Sequence, residues 1–156
     1  MKLKKNLNSW NEYLAGLIDG DGSLLISKAG YASCEITLDI YDKPLLLDIR
    51  KKLGGYVEKR SGVNAYRYRL HDKKGMMHLI QLINGHIRNS KRIPQLQRIC
   101  KLYNIPFKEP TPLTTNNGWF SGFFDAEGSV SYGMKRGKEK LRFFFFPFAS
   151  ACCKCF

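Results

Sequence analysis

The sequence predicts an α+β protein in which a helix, two strands, a helix, two strands and closing helices form one αββαββα unit, followed by the beginning of a second. Three observations carry this expectation. A block of apolar, small and acidic residues occurs twice. Between the copies the hydrophobic period switches between helical spacing and strict alternation. The 156-residue chain also holds 26 Lys and Arg against 13 Asp and Glu, a formal net charge of +13.

The first element is the repeated block. Leu14-Ala15-Gly16-Leu17-Ile18-Asp19-Gly20-Asp21-Gly22 returns as Phe120-Ser121-Gly122-Phe123-Phe124-Asp125-Ala126-Glu127-Gly128, and the match extends to Tyr13 with Trp119, Ser23 with Ser129 and Leu24 with Val130. Such a repeat outranks other clues to architecture. Ser9-x-x-Glu12 reads as a capping box and Thr115, at the same offset, as the second N-cap. Gly22 and Gly128 read as C′ residues. Gly16 with Gly20, and Gly122 with Ala126, fall on one helix face and let two backbones approach. The spacing therefore predicts two helices crossing side by side, with Leu14, Leu17 and Ile18, and Phe120, Phe123 and Phe124, packing into separate cores below the contact.

Each copy ends in an acid, Asp21 or Glu127, at the helix terminus where a carboxylate opposes the macrodipole by roughly 0.3 to 1 kcal/mol. Pairing the helices adds repulsion of about 4 kcal/mol for two carboxylates ~4 Å apart at an effective dielectric of ~20. A hard divalent cation that accepts carboxylate oxygens and keeps waters, most simply Mg²⁺, fits between them. Asp19 and Asp125 point elsewhere on the helix and are expected to hydrogen-bond the neighbouring backbone. Amphipathic core helices ending in ordinary solvated acids are the alternative, and two copies in register count against it.

This pattern resembles the LAGLIDADG homing endonucleases, from whose name motif the first copy departs only at Gly20, while the second copy is looser but keeps the acidic end. The resemblance implies that two such helices form the interface of two αββαββα units, in a homodimer or in two halves of one chain. It implies that the last acids, Asp21 and Glu127, bind the catalytic Mg²⁺ (or Mn²⁺). It further implies metal-dependent hydrolysis of a phosphodiester in each strand of double-stranded DNA at a specific site, leaving a 3′-hydroxyl.

The remaining elements of the first unit follow from their periods. Residues 23–29 are strand-like, Gly30 supplies a turn, and 31–41 alternates Cys34, Ile36, Leu38 and Ile40 with Glu35, Thr37, Asp39 and Tyr41, a strand with one wet face. Pro44 opens a helix carrying Leu45, Leu46, Ile49 and Leu53, which stops at Gly54-Gly55. Residues 55–60 and 65–72 form the next strands, the latter alternating Tyr66, Tyr68 and Leu70 with Arg67, Arg69 and His71 and so placing a row of cations on one face. Residues 76–87 and 93–102 read as helices, which completes a first unit over 1–104.

An antiparallel sheet with a solvated face fits the DNA major groove, where Arg suits guanine O6/N7. Lys28, Lys59, Arg60, Arg67 and Arg69 are the candidate contacts, with Glu35, Thr37 and Asp39 as further readers; a solvated face without a ligand is the alternative at each. The resemblance also implies a lysine near the start of the unit's last helix that polarises water or stabilises the phosphate. In Arg88-Asn89-Ser90-Lys91-Arg92-Ile93-Pro94 this role falls to Lys91, with Arg88 and Arg92 close behind, although a cationic run before a helix can equally bind phosphate without taking part in chemistry. Asp39 is a weaker candidate for a residue that orders water.

The charge balance implies a polyanionic partner, first nucleic acid and second a membrane surface. At 44% hydrophobic residues a packed core is expected. No stretch reaches the ~20 apolar residues of a membrane span, and the start does not continue into a secretory signal. Cys34, Cys100, Cys152, Cys153 and Cys155 lack zinc-site spacing, so a reducing interior is expected. The family's habit places such proteins in mitochondria or chloroplasts, encoded inside an intron.

A linker over 105–115, with Pro106, Pro110 and Pro112, joins the halves, and two strands can begin over 129–134 and 138–142. The ending from Leu141 to Phe156 matches nothing in the first unit, and its apolar run Phe143 to Phe146 has the character of an aggregation-prone segment. The sequence reading over 116–156 is an incomplete second unit, from a lost or truncated reading frame; a short hydrophobic tail is the alternative. The two-motif layout implies a monomer, with self-association through the motif helix as a route to a second sheet. Two rival functions stay open: an RNA-binding maturase acting on group I intron RNA, and an inactive DNA-binding relic.

Overall fold

The structure is a computed structural model and describes residues 2–135 and 138–145, with side chains over 9–128; the Phe- and Cys-rich ending at 146–156 lies outside the described residues. Helix α1 (Lys2–Asp21) buries Leu14, Leu17 and Ile18 and runs directly into strand β1 (Gly22–Ile26). Two expectations for its ends are corrected. Ser9 is no N-cap, because the helix begins at Lys2, and Glu12 serves another helix by accepting the Gly118 N–H at 2.8 Å. Gly22 is no left-handed C′ residue, because side chains from elsewhere satisfy the helix's last carbonyls: Asn89 Nδ2 donates to Asp19 O at 2.8 Å and Arg92 Nε to Ile18 O at 3.3 Å. Its missing side chain still matters, since a Cβ there would lie 2.6 Å from Ile18 Cα.

Strand β2 (Ala32–Asp39) buries Ala32, Cys34, Ile36 and Leu38 in strict alternation. It ends before Ile40 because Asp39 Oδ1 accepts the Tyr41 N–H at 3.1 Å and starts a 3-10 turn over Ile40–Asp42. Helix α2 (Lys43–Leu53) has Pro44 in its first turn and stops at Gly54, whose φ of 83° suits glycine. Strands β3 (Tyr56–Lys59) and β4 (Ala65–Leu70) lead to α3 (Lys73–Ile83), capped by Asp72 accepting from the Gly75 N–H at 2.7 Å, and then to α4 (Arg92–Leu102).

All four strands pair antiparallel in the order β1-β2-β4-β3. Leu24, Cys34, Ile36, Leu38, Tyr68 and Leu70 on one face join Leu14, Leu17 and Ile18 of α1, Leu46 and Ile49 of α2, Met76 and Ile80 of α3, and Leu96 and Ile99 of α4 in one core. The opposite face carries Glu35, Thr37, Arg67 and Arg69. The proline-containing linker is tied to the end of α3, where Asn84 Nδ2 donates to Pro106 O at 2.8 Å and Asn84 Oδ1 accepts from the Lys108 N–H at 2.9 Å.

Helix α5 (Trp119–Glu127) begins later than a Thr115 cap would allow, because Asn117 Oδ1 takes the Trp119 N–H at 2.8 Å and Glu12 takes that of Gly118. Gly128 extends straight into strand β5 (Gly128–Lys135), which pairs antiparallel with β6 (Lys138–Phe145), so it too is no left-handed cap. Phe120 remains 51% exposed and stacks on Phe124 at 6.2 Å rather than entering a core like that of its counterpart Leu14.

Helices α1 and α5 lie backbone against backbone with an approximate two-fold relation. A Cβ on Gly16 would sit 2.0 Å from Trp119 O, and one on Gly122 would sit 1.9 Å from Tyr13 O. Tyr13 and Trp119 are equivalent in the repeat, and each also donates a hydrogen bond across the interface: Tyr13 Oη to Asp125 Oδ2 and Trp119 Nε1 to Asp19 Oδ2, both at 2.8 Å.

In an exposed helix interior, glycine to alanine stabilises by about 1 kcal/mol. Here the sign is expected to reverse, with Gly122→Ala costing about 1–3 kcal/mol because the obstruction is main chain. Thermal unfolding followed by tryptophan fluorescence checks this; a variant melting at or above the wild-type temperature contradicts the interface.

Candidate functional site

The close approach continues to the ends of the two helices. A Cβ on Gly20 would meet Ala126 Cβ at 2.4 Å and Glu127 Cγ at 3.1 Å, so Glu127 lies beside the residue preceding Asp21. Asp21 is half-buried and its carboxyl is pushed up to about 6, first by burial and then by the Glu127 carboxylate; Arg92 opposes the shift and Asp42 adds to it. Two acids thus share one charge field at two helix C-termini, the arrangement that a cation relieves. Among the described residues no group of three or more His, Cys, Asp or Glu forms a closed metal cage. A pair of carboxylates open to water and phosphate suits an ion of the Mg²⁺ type, which binds through one or two carboxylates and completes its shell with waters and substrate.

The segment 88–92 connects this end to the core. Asp19 is fully buried, and its Oδ2 accepts from the Arg88 backbone N–H at 2.7 Å as well as from the Trp119 indole. Burial pushes its carboxyl up to about 6 against those hydrogen bonds. The expectation of a backbone partner thus holds for Asp19 only in part, and Asp125 takes a tyrosine hydroxyl instead. The Arg88 guanidinium lies 5.8 Å from the Trp119 ring centroid and, desolvated there, has its pKa lowered. Lys91 is exposed at the N-cap of α4, where its N–H donates to Asn89 Oδ1 at 2.9 Å. Its neighbour Arg92 is a cation whose field acts on Asp21. Trp119 and Asn89 were not singled out by sequence reasoning; the pairing of Trp119 with Tyr13 in the repeat was the available signal.

Of the remaining candidates, Arg67 and Arg69 lie on the sheet's wet face, whereas Lys59 pairs with Tyr66 and so belongs to the other face. Lys28 lies in the β1–β2 turn at one end, Lys59 and Arg60 stand at the β3–β4 loop at the other, and Arg67 and Arg69 lie between them on β4. Arg67 and Arg69 share one face as the alternation implies, and acids stand among them. Arg69 Nε donates to Glu35 Oε1 at 2.8 Å, Arg69 Nη1 is 3.2 Å from Glu58 Oε1, and Arg67 Nη1 is 3.7 Å from Glu35 Oε2. Thr37 faces Arg67 across the ladder, and Asp39 is committed to its turn. His71 stacks edge-on to Tyr56 outside the strand.

A carboxyl with a raised pKa binds its proton more tightly in the folded chain than in the unfolded one. Between the ordinary 3.8 and about 6, stability therefore falls as pH rises. Allowing for solvent screening, Asp21 is expected to cost the metal-free chain on the order of 1–2 kcal/mol at neutral pH. Urea denaturation in EDTA should show Asp21→Asn more stable than wild type at neutral pH, with the gap closing in acid. A variant less stable than wild type at neutral pH contradicts the charge conflict.

Known proteins share both sequence and fold with this chain. The LAGLIDADG endonuclease family profile matches residues 14–103, from within α1 to just past α4. An intron-encoded RNA maturase, bI4, of Saccharomyces cerevisiae is 55% identical over 133 residues, which is 85% of this chain and 21% of that protein. A probable intron-encoded endonuclease, aI2, of Debaryomyces hansenii is 47% identical over 86% of this chain and 21% of its own length, and an intron-encoded DNA endonuclease, ai2a, of Dictyostelium discoideum is 42% identical over 86% and 43%. The chain thus spans less than half the length of these relatives. Among solved structures, the LAGLIDADG meganuclease I-AabMI bound to uncleaved DNA superposes with a TM-score of 0.60 at 21% identity, over 85% of this chain and 64% of that one. With the paired motif helices, the four-stranded sheet and the profile match in agreement, the chain belongs to the LAGLIDADG endonuclease family.

Proposed function

We propose that the chain acts as a site-specific double-strand DNA endonuclease of the intron-encoded type, hydrolysing phosphodiester bonds with Mg²⁺ or Mn²⁺. One observation carries the reading: Asp21 and Glu127 end two paired helices, and the residue after Asp21 begins the first strand of a sheet whose wet face bears Arg67 and Arg69 among paired acids. Relatives named as intron-encoded endonucleases support it. Asp21 and Glu127 would hold the cation, which when bound supplies Lewis-acid neutralisation of the charge building on the phosphate oxygens. Lys91 and Arg92, at the start of α4, would add positive charge beside that phosphate. Lys28, Lys59 and Arg60 would neutralise backbone phosphates, leaving Arg67, Arg69 and Thr37 to face base edges. We further read 1–104 as one full unit, 105–115 as its linker and 116–156 as part of a second, and we place the protein in the mitochondrion or chloroplast, on the intron-encoded relatives alone.

A second reading is favoured by one specific finding, the 55% identity to a protein named an RNA maturase. As a maturase the chain would use its basic surface on group I intron RNA and would not need the acid pair.

The test begins by selecting a preferred duplex from a randomised pool with the wild-type chain, then measuring its cleavage with Mg²⁺. Asp21→Asn should cut at least about 100-fold more slowly while binding within about threefold of wild type, with affinity falling steeply with salt. Undiminished cutting by the variant removes Asp21 from the metal site. Preference for structured intron RNA over every duplex would favour the maturase reading.

A further inference from the structure

The two arginines at the centre of the wet face are in different states. Arg69 is satisfied by Glu35 at 2.8 Å, by Glu58 at 3.2 Å and by a hydrogen bond with the Tyr56 side chain. Arg67 is held without being satisfied. Its Nη1 stands 3.7 Å from Glu35 Oε2, beyond hydrogen-bond distance, and its Nε is buried with no acceptor among the described residues.

Strand register accounts for the Glu35 contacts, while Glu58 turns away from its direct partner. Glu35 faces Arg69 directly across β2 and β4 and Arg67, opposite Thr37, reaches it only on the diagonal; Glu58 stands opposite Arg67 across β3 and β4 yet pairs with Arg69 at 3.2 Å. One carboxylate therefore serves its opposite neighbour squarely and its diagonal neighbour at a stretch. The side chains involved are only 20% (Arg67) and 27% (Glu35) exposed, so this contact is less screened than a surface pair.

A guanidinium with an unmet buried donor gains most from an acceptor pair that engages two of its N–H groups at once, such as guanine O6/N7. Drawing Arg67 towards DNA also pulls it away from Glu35 and brings that carboxylate near a polyanion. A duplex offering only phosphates can bind the exposed Lys28, Lys59 and Arg60 but does not offset this cost.

Resting on the endonuclease reading above, we propose that Glu35 is a specificity-determining residue that reads no base itself. It competes with DNA for Arg67 and Arg69, so that only a site presenting paired acceptors to Arg67 displaces it. The sheet then discriminates partly by penalising the wrong duplex.

The experiment compares wild type, Glu35→Gln, Arg67→Gln and the double variant by fluorescence anisotropy. The probes are the duplex selected by the wild-type chain and a random-sequence duplex of equal length, each at two salt concentrations. Glu35→Gln should bind the random duplex about three- to tenfold more tightly, with the selected-to-random ratio falling by a similar factor. That gain should vanish in the Arg67→Gln background. Glu35→Asp, which keeps the charge and shortens the reach to Arg67, should fall between and decides the matter if Glu35→Gln does not fold. Weaker binding of both duplexes by Glu35→Gln, an unchanged ratio, or a gain that survives without Arg67 overturns the proposal while leaving the endonuclease reading intact. A wild-type chain that prefers no duplex overturns both.

Discussion

Main chain meets main chain where α1 crosses α5, and the other features of the site depend on that contact. Gly16 admits the carbonyl of Trp119, and Gly122 admits that of Tyr13. At this separation the tyrosine and the indole each reach the acid of the opposite helix. Continued along both helices, the same approach brings Glu127 beside Gly20 and into the field of Asp21. A side chain at either glycine would part the helices and separate the acids. The interface is therefore also the device that sets the spacing of the carboxylates, and their repulsion is a cost that it carries.

The end of α1 shows how local chemistry links the site to the core. A helix that passes directly into a strand cannot use a left-handed glycine to satisfy its last carbonyls. Asn89 and Arg92 reach across from the start of α4 to do so, and the buried Asp19 holds the Arg88 backbone in place. The same short segment thus closes the helix, brings Arg88 near the indole of α5 and sets Arg92 in the field of Asp21. Displacing it would disturb stability and chemistry together.

Much of this was legible in the sequence, because its period carries the physics directly. Cys34, Ile36 and Leu38 alternate in letters and in burial, and Leu46, Ile49 and Leu53 face the core at helical spacing. The repeat placed Gly16, Gly20, Gly122, Ala126, Asp21 and Glu127 on facing helices. What escaped were partnerships fixed only by tertiary approach. Ser9-x-x-Glu12 has the letters of a capping box, yet its own helix begins upstream at Lys2 and the Glu12 carboxylate accepts the Gly118 N–H before α5 instead. The ion pairs of Arg67 and Arg69 with Glu35 and Glu58 were not legible, because these residues lie on different strands and register cannot be counted along a single chain. That Arg92 acts on Asp21 and closes α1 depends on the turn before α4, which its place in the chain alone does not reveal.

The central claim is that the paired helices hold Asp21 and Glu127 as one cation site. Mn²⁺ titration of the full chain, followed by electron paramagnetic resonance in the presence of its selected duplex, tests it without reference to turnover. The account predicts a bound Mn²⁺ signal in wild type that is lost or weakened at least about tenfold in both Asp21→Asn and Glu127→Gln, with the duplex still bound. Unchanged Mn²⁺ affinity in either variant would contradict it, because each carboxylate is assigned to the same ion.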